Sequence, residues 1–263
     1  MTIRKNSTIM ATGSKTKQST TAVRKAYQNV SRMMSELGYA IKTGVELNID
    51  PNLPFMGYSM PLQKGYRIVV SGGAVNSGML EGLLTHEMSH IYRMENNHPS
   101  HDADTIQGAI DKIRGPLSDY QQKIIHDLLN DIQDLYADDI AMKVIKRSPV
   151  LELGQMSSFL QDWVKDEPIE SGNVKRDRWT NASIMVHNAR ALGQMTRHKV
   201  EDTGGKASSS NKRFLSKIPQ RMTAQFPYFL NLMINLKENM TRDEYQHLLA
   251  DYLSRFLEIA EKN

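Results

Sequence analysis

Residues 86–90 read His86-Glu87-Met88-Ser89-His90, and the two imidazoles can act together only if this stretch is helical. On a helix, residues four apart sit one turn apart on the same face. The flanking residues agree with a helix: Met79, Leu80, Leu83, Leu84, Met88 and Ile91 are its apolar positions. Upstream, Arg67-Ile68-Val69-Val70-Ser71 is a short β-branched run that predicts a strand. Gly72-Gly73 comes next as an expected turn, with Asn76 or Ser77 as the expected helix N-cap. The order strand, turn, helix therefore limits how the chain can fold around this pair.

Two imidazoles at this spacing can hold one zinc ion, and the carboxylate between them can take a proton from an activated water. The chain has 263 residues and no cysteine, so disulfides, thiolate ligands and a Cys nucleophile are all excluded. A metal here must be held by His, Asp or Glu.

The length suits one large domain or two small ones. Residues 1–35 carry seven basic residues and no acidic one. A nucleic-acid arm is compatible with that stretch, but a solvated tail is the favoured reading. The formal charge of +4 is too mild to demand a nucleic-acid partner. No apolar run is long enough for a membrane span, and the N-terminus lacks a signal-peptide core, so a cytoplasmic location is expected.

The coarse reading along the chain has three parts. Residues 1–19, rich in Ser, Thr and Lys, are expected to be a disordered basic tail. Residues 20–150 are expected to form the metal-binding core, opening with a helix on which Val23, Ala26, Tyr27, Val30, Met33, Met34 and Leu37 have helical spacing. Val45–Asp50 alternates as a strand, Pro51, Pro54 and Pro61 interrupt the segment after it, and a small antiparallel sheet is expected before the His86–His90 helix. A long helix is expected over 116–147. Residues 151–263 are expected to be a helical region packing on the core with a cleft between them. Within it, 202–213 is expected to be a flexible loop, and Thr241-Arg242-Asp243-Glu244 spells a capping box for a last helix. The expected class is α+β, mostly helical.

A catalytic zinc site takes three protein ligands and leaves one position open. His98 and His101 come soon after the motif, and His98 is one candidate third ligand. The long helix offers a better one. Asp127, Asp131, Asp134 and Asp138 stand at offsets 0, 4, 7 and 11, within about 60° of one another on a helix. Like charges along one stripe repel, so the stripe is favourable if it faces a cation. For a further donor to a developing oxyanion, Tyr136, His187 and Arg190 are candidates.

With these residues the chain resembles the gluzincins, the thermolysin-like HExxH zinc peptidases, and among them the minimal soluble and CaaX-protease-related types. The resemblance covers roughly residues 20–147 and implies a zincin-like core. The family's downstream ExxxD motif aligns with Asp134-Leu135-Tyr136-Ala137-Asp138. It implies His86, His90 and Asp134 as zinc ligands, with Asp in place of the usual Glu. Asp131 is the alternative. It implies Glu87 as general base and Asp138 as the acceptor that orients a ligating His. The strand at 68–71 is then expected to pair with an extended peptide or protein substrate. The metzincin pattern does not fit, because Arg93 and Asn96 stand where it needs Gly and His.

Two rival readings use the same residues. Glu87-x-x-His90 and Glu244-x-x-His247, with the Asp stripe, match the spacing of di-iron carboxylate bundles. A zincin-fold module without catalysis is the other.

Overall fold

A computed structural model describes residues 8–113, 115–147 and 153–261. The elements are α1 (Thr8–Glu36), β1 (Val45–Asp50), β2 (Gly57–Pro61), β3 (Tyr66–Ser71), α2 (Gly72–Val75), α3 (Leu80–Glu95), α4 (Ala103–Ile110), α5 (Asp119–Ile145), α6 (Leu153–Trp163), α7 (Val174–Arg197), α8 (Lys206–Lys217), α9 (Gln220–Thr223), α10 (Phe226–Asn235) and α11 (Arg242–Glu261). The class is α+β and mostly helical.

The chain packs as two compact units. One comprises residues 1–96 and 140–150, the other 97–139 and 151–263. The division does not fall at residue 150 but runs through α5, whose last turns pack with the first unit.

In the first unit, α1 lays Val23, Ala26, Val30 and Met34 against Ile68 and Val70 of β3 and Leu84, Met88 and Ile91 of α3. Each Val, Leu, Ile or Met side chain among them contributes about 1.5–3 kcal/mol when fully buried. Ile140 and Val144, from the end of α5, join the same core. The helix α1 begins at Thr8, so residues 8–19 continue it and are not the expected disordered tail. Propagating a helix that packing has already nucleated costs little per residue, which outweighs a polar composition. Residues 1–7 of the expected tail lie outside the described residues.

The sheet order is β1-β3-β2. β1 pairs parallel with β3, and β2 pairs antiparallel with it, so the sheet is mixed and not antiparallel. The reason is that β3 holds the centre. Ile68, Val69 and Val70 are buried, and a continuous apolar run suits a strand covered on both sides. β2 crosses to the far edge and ends at Pro61, which an edge strand tolerates. It returns through Gly65 at φ 84, where a side chain would be strained. Because β3 has a strand on each side, it has no edge left for the expected substrate strand.

The link to α3 also differs from expectation. Gly72-Gly73 starts the short α2, capped by Ser71, whose Oγ accepts from Ala74 N at 3.1 Å. Helix α3 starts at Leu80 without a side-chain cap. Ser77 lies between the two helices, donating to the Ala74 carbonyl at 2.9 Å and accepting from Met79 N.

In the second unit, α5 buries Leu128, Leu129, Ile132, Leu135 and Tyr136 with Trp179, Met185 and Val186 of α7, Phe229 of α10 and Tyr245, Tyr252 and Phe256 of α11. Helices α7 and α10 cross closely at Gly193, where an added Cβ would lie 2.5 Å from Met233 Cβ. The capping box forms as expected: Thr241 N donates to Glu244 Oε2 at 2.8 Å and Glu244 N to Thr241 Oγ1 at 3.2 Å. The expected loop at 202–213 is instead largely α8. Asp202 accepts from Ala207 N and Ser208 N, both at 2.9 Å, and satisfies the first donors of the helix. Ser210, Asn211 and Phe214 then bury their side of it.

Candidate metal centre

Helix α3 separates its two faces by chemistry. Leu84, Met88 and Ile91 enter the core of the first unit. His86 and His90 each stand two positions after an apolar residue, about 200° round the helix, and point away from it. Thr85 Oγ1 donates to the Glu81 carbonyl and Ser89 Oγ to the Thr85 carbonyl, both at 2.7 Å, so these hydroxyls are satisfied within the helix. The His86 and His90 rings meet edge to face, with centroids 4.6 Å apart and Nε2 atoms 3.0 Å apart. Two nitrogens on a tetrahedral zinc at about 2.0–2.1 Å are separated by about 3.3 Å. The imidazole pair is thus close to a chelating arrangement. Glu87, between them, is buried.

On α5 the four aspartates fare differently. Asp127 is half exposed and pairs with Lys123 at 2.8 Å, an ordinary surface contact. Asp131, Asp134 and Asp138 meet a matching stripe on α7, formed by His187, Arg190 and Gln194 at the same offsets of three and four. His187 Nδ1 lies 3.5 Å from Asp131 Oδ2. Arg190 donates from Nη1 to Asp131 and from Nη2 to Asp134 Oδ2 at 2.9 Å, with Asp138 at 3.8 Å. Gln194 donates from Nε2 to Asp138. Burial works against the Arg190 charge, but Asp131, Asp134 and Asp138 outweigh it and hold its pKa above the usual arginine value.

Asp134 stands six residues before Ile140 on the continuous α5, about 9 Å along the axis. One ligand atom from each of His86, His90 and Asp134 lies within 4.8 Å of the others, the one such group of three found among the described residues. Two imidazole nitrogens and one carboxylate oxygen, without a thiolate, are the donor set of a catalytic zinc with an open position. Those residues fit such an ion.

The other expected site residues lie elsewhere. Tyr136 is fully buried in the core of the second unit, its hydroxyl donating to Met240 Sδ at 3.3 Å. Two residues beyond Asp134, it points about 200° away round the helix, which removes it as an oxyanion donor. His98 is engaged through both nitrogens, Nδ1 with Ser100 Oγ at 2.7 Å and Nε2 with the Glu238 carbonyl at 2.9 Å. That leaves no lone pair for a metal. Asp131 turns both oxygens to α7. Glu244 is exposed and used in its capping box, and His247 Nδ1 lies 2.7 Å from the Asp243 carbonyl. The second Glu-x-x-His is therefore explained by local helix structure.

Sequence reasoning missed Trp163 and Gln194. Trp163 lies under the Arg190 guanidinium, 4.7 Å from its carbon, and stacks with His187 at 5.7 Å. The equal spacing of 187/190/194 and 131/134/138 was the available signal for the α7 stripe. Trp163 had no comparable signal.

Fold and site define a mostly helical α+β protein that carries an HExxH helix and a neighbouring aspartate. The chain belongs to the family of unknown function DUF5781, whose family model matches residues 26–257. No curated protein and no solved structure matches it. No helix among the described residues is long and apolar enough to cross a membrane.

Proposed function

We propose that this protein is a zinc-dependent metallopeptidase in which His86, His90 and Asp134 hold the metal and Glu87 is the general base. The observation that carries this reading is the grouping of these three ligand atoms around the HExxH helix. Zinc bound there supplies Lewis acidity that activates water and polarises a carbonyl. Glu87 takes a proton from the attacking water and returns it to the leaving amine. Asp138, within 3.8 Å of Arg190 and bonded by Gln194, belongs to the surrounding polar network. The substrate is a peptide or protein. Because β3 is enclosed, the sheet edges open to an extended substrate among the described residues are the outer edges of β1 and β2. A cytoplasmic location accords with this reading, and nucleic acid is not needed for it.

The test combines metal analysis with a Glu87→Gln variant and a broad peptide library. One zinc per chain, with cleavage by the wild type and none by the zinc-loaded variant, supports the reading. Two irons per chain would replace it with the di-iron alternative. Zinc without any cleavage by the wild type would leave a binding module.

A further inference from the structure

We propose that Arg190 is the positioning residue for Asp134, fixing the carboxylate that completes the zinc-ligand set and balancing three aspartates crowded on one helix face. The proposal rests on the zinc reading above.

Three observations carry it. First, the guanidinium bridges two carboxylates, Asp131 through Nη1 and Asp134 through Nη2. A planar fork presents a separate nitrogen to each carboxylate in a fixed geometry, where an ammonium is a single point charge. Second, its plane is fixed. The Trp163 ring covers it at 4.7 Å, and its Nε is buried with no hydrogen-bond partner. The arginine thus leaves one donor unmet while its two terminal nitrogens serve the aspartates. Third, the charges match. Three carboxylates against one guanidinium leave a surplus of two negative charges, the complement of a divalent cation. Without Arg190 the stripe would hold three like charges in a partly buried place.

The same contacts exclude Arg190 as the oxyanion donor expected from the sequence. Buried and committed to carboxylates, it cannot also meet an oxyanion. It acts on the metal through Asp134. The bond from Nη2 occupies one of the roughly four lone-pair positions that a carboxylate offers. Partners of this kind, when removed, typically lower metal affinity by about 10–100-fold.

The experiment measures zinc affinity of the full chain by competition with a chromophoric chelator. The variants are Arg190→Met, Arg190→Lys, Asp134→Asn and the double variant Arg190→Met/Asp134→Asn. Arg190→Met is expected to weaken zinc binding by about 10–100-fold, and Arg190→Lys to recover only part of that loss. In the Asp134→Asn background, Arg190→Met should cause no further loss, because its route to the metal is already gone. Wild-type affinity in Arg190→Met, or an equal loss in both backgrounds, overturns the proposal. Should Arg190→Met not fold by circular dichroism, Asp131→Asn removes one anchor and leaves the arginine in place. It is expected to weaken zinc binding by a smaller factor, and unchanged affinity overturns the proposal. A wild type that binds no zinc would remove the site reading together with this one, whereas a zinc-binding wild type matched by Arg190→Met removes this one alone.

Discussion

Arg190 Nη2 donates to Asp134 Oδ2 at 2.9 Å, so the aspartate proposed as a zinc ligand is held from the opposite helix. Asp134→Asn keeps the shape but halves the oxygen donors. Its zinc affinity should fall by more than the roughly 10–100-fold typical of losing an outer partner. Isothermal titration with zinc checks this.

Zinc binding should also appear as stability. Ligand at 100 times its Kd adds about 2.7 kcal/mol by mass action. For a chain of this size that is a rise in Tm of roughly 5–10 °C. A chelator should reverse the rise in a thermal melt monitored by circular dichroism, and His90→Ala should abolish it.

Gly193→Ala should destabilise the second unit. The added Cβ would meet Met233 Cβ at 2.5 Å, and overpacking of this kind costs about 1–3 kcal/mol. Met233→Ala combined with it should lose less than the sum of the two single changes, because they share one contact. Urea midpoints of the four proteins give the cycle.

Thr241→Ala removes the Oγ1 that accepts from Glu244 N. Losing such a cap costs about 1 kcal/mol, a fall of roughly 2–4 °C in Tm. Thr241→Ser should restore most of it.

Asp202 links acid sensitivity to α8. Burial raises its pKa, but the Ser208 and Ala207 amides and the Gln161 side chain outweigh that and hold it below the usual value. A depressed carboxyl contributes stability above its unfolded pKa of about 3.9 and loses it as pH falls through the lower folded value. The wild type should therefore exceed Asp202→Asn in urea midpoint at pH 6, and the gap should narrow toward pH 3.

Much of this architecture could be read from residue order. The helical period of Val23 to Met34 and of Leu84 to Ile91, the β-branched run at 67–71 and the capping box at 241 are local signals, and each formed the element it implied. The paired histidines needed only the α-helical repeat to face one another. Burial decided the cases that went the other way. Ser208 to Ser210 look like a loop by composition, yet Asp202 caps them and Phe214 pulls the segment into the core. The strand β2 follows Pro51 and Pro54 and ends on Pro61, and its pairing with β3 opposite β1 is a tertiary contact.

Sequence by itself determined which residue types recur on which helical face, because that depends only on a 3.6-residue period. Tertiary packing decided what each face meets. It occupied His98 with the Glu238 carbonyl and set Arg190 against Asp131 and Asp134. Those outcomes depend on residues far apart along the chain whose mutual distance no local pattern encodes.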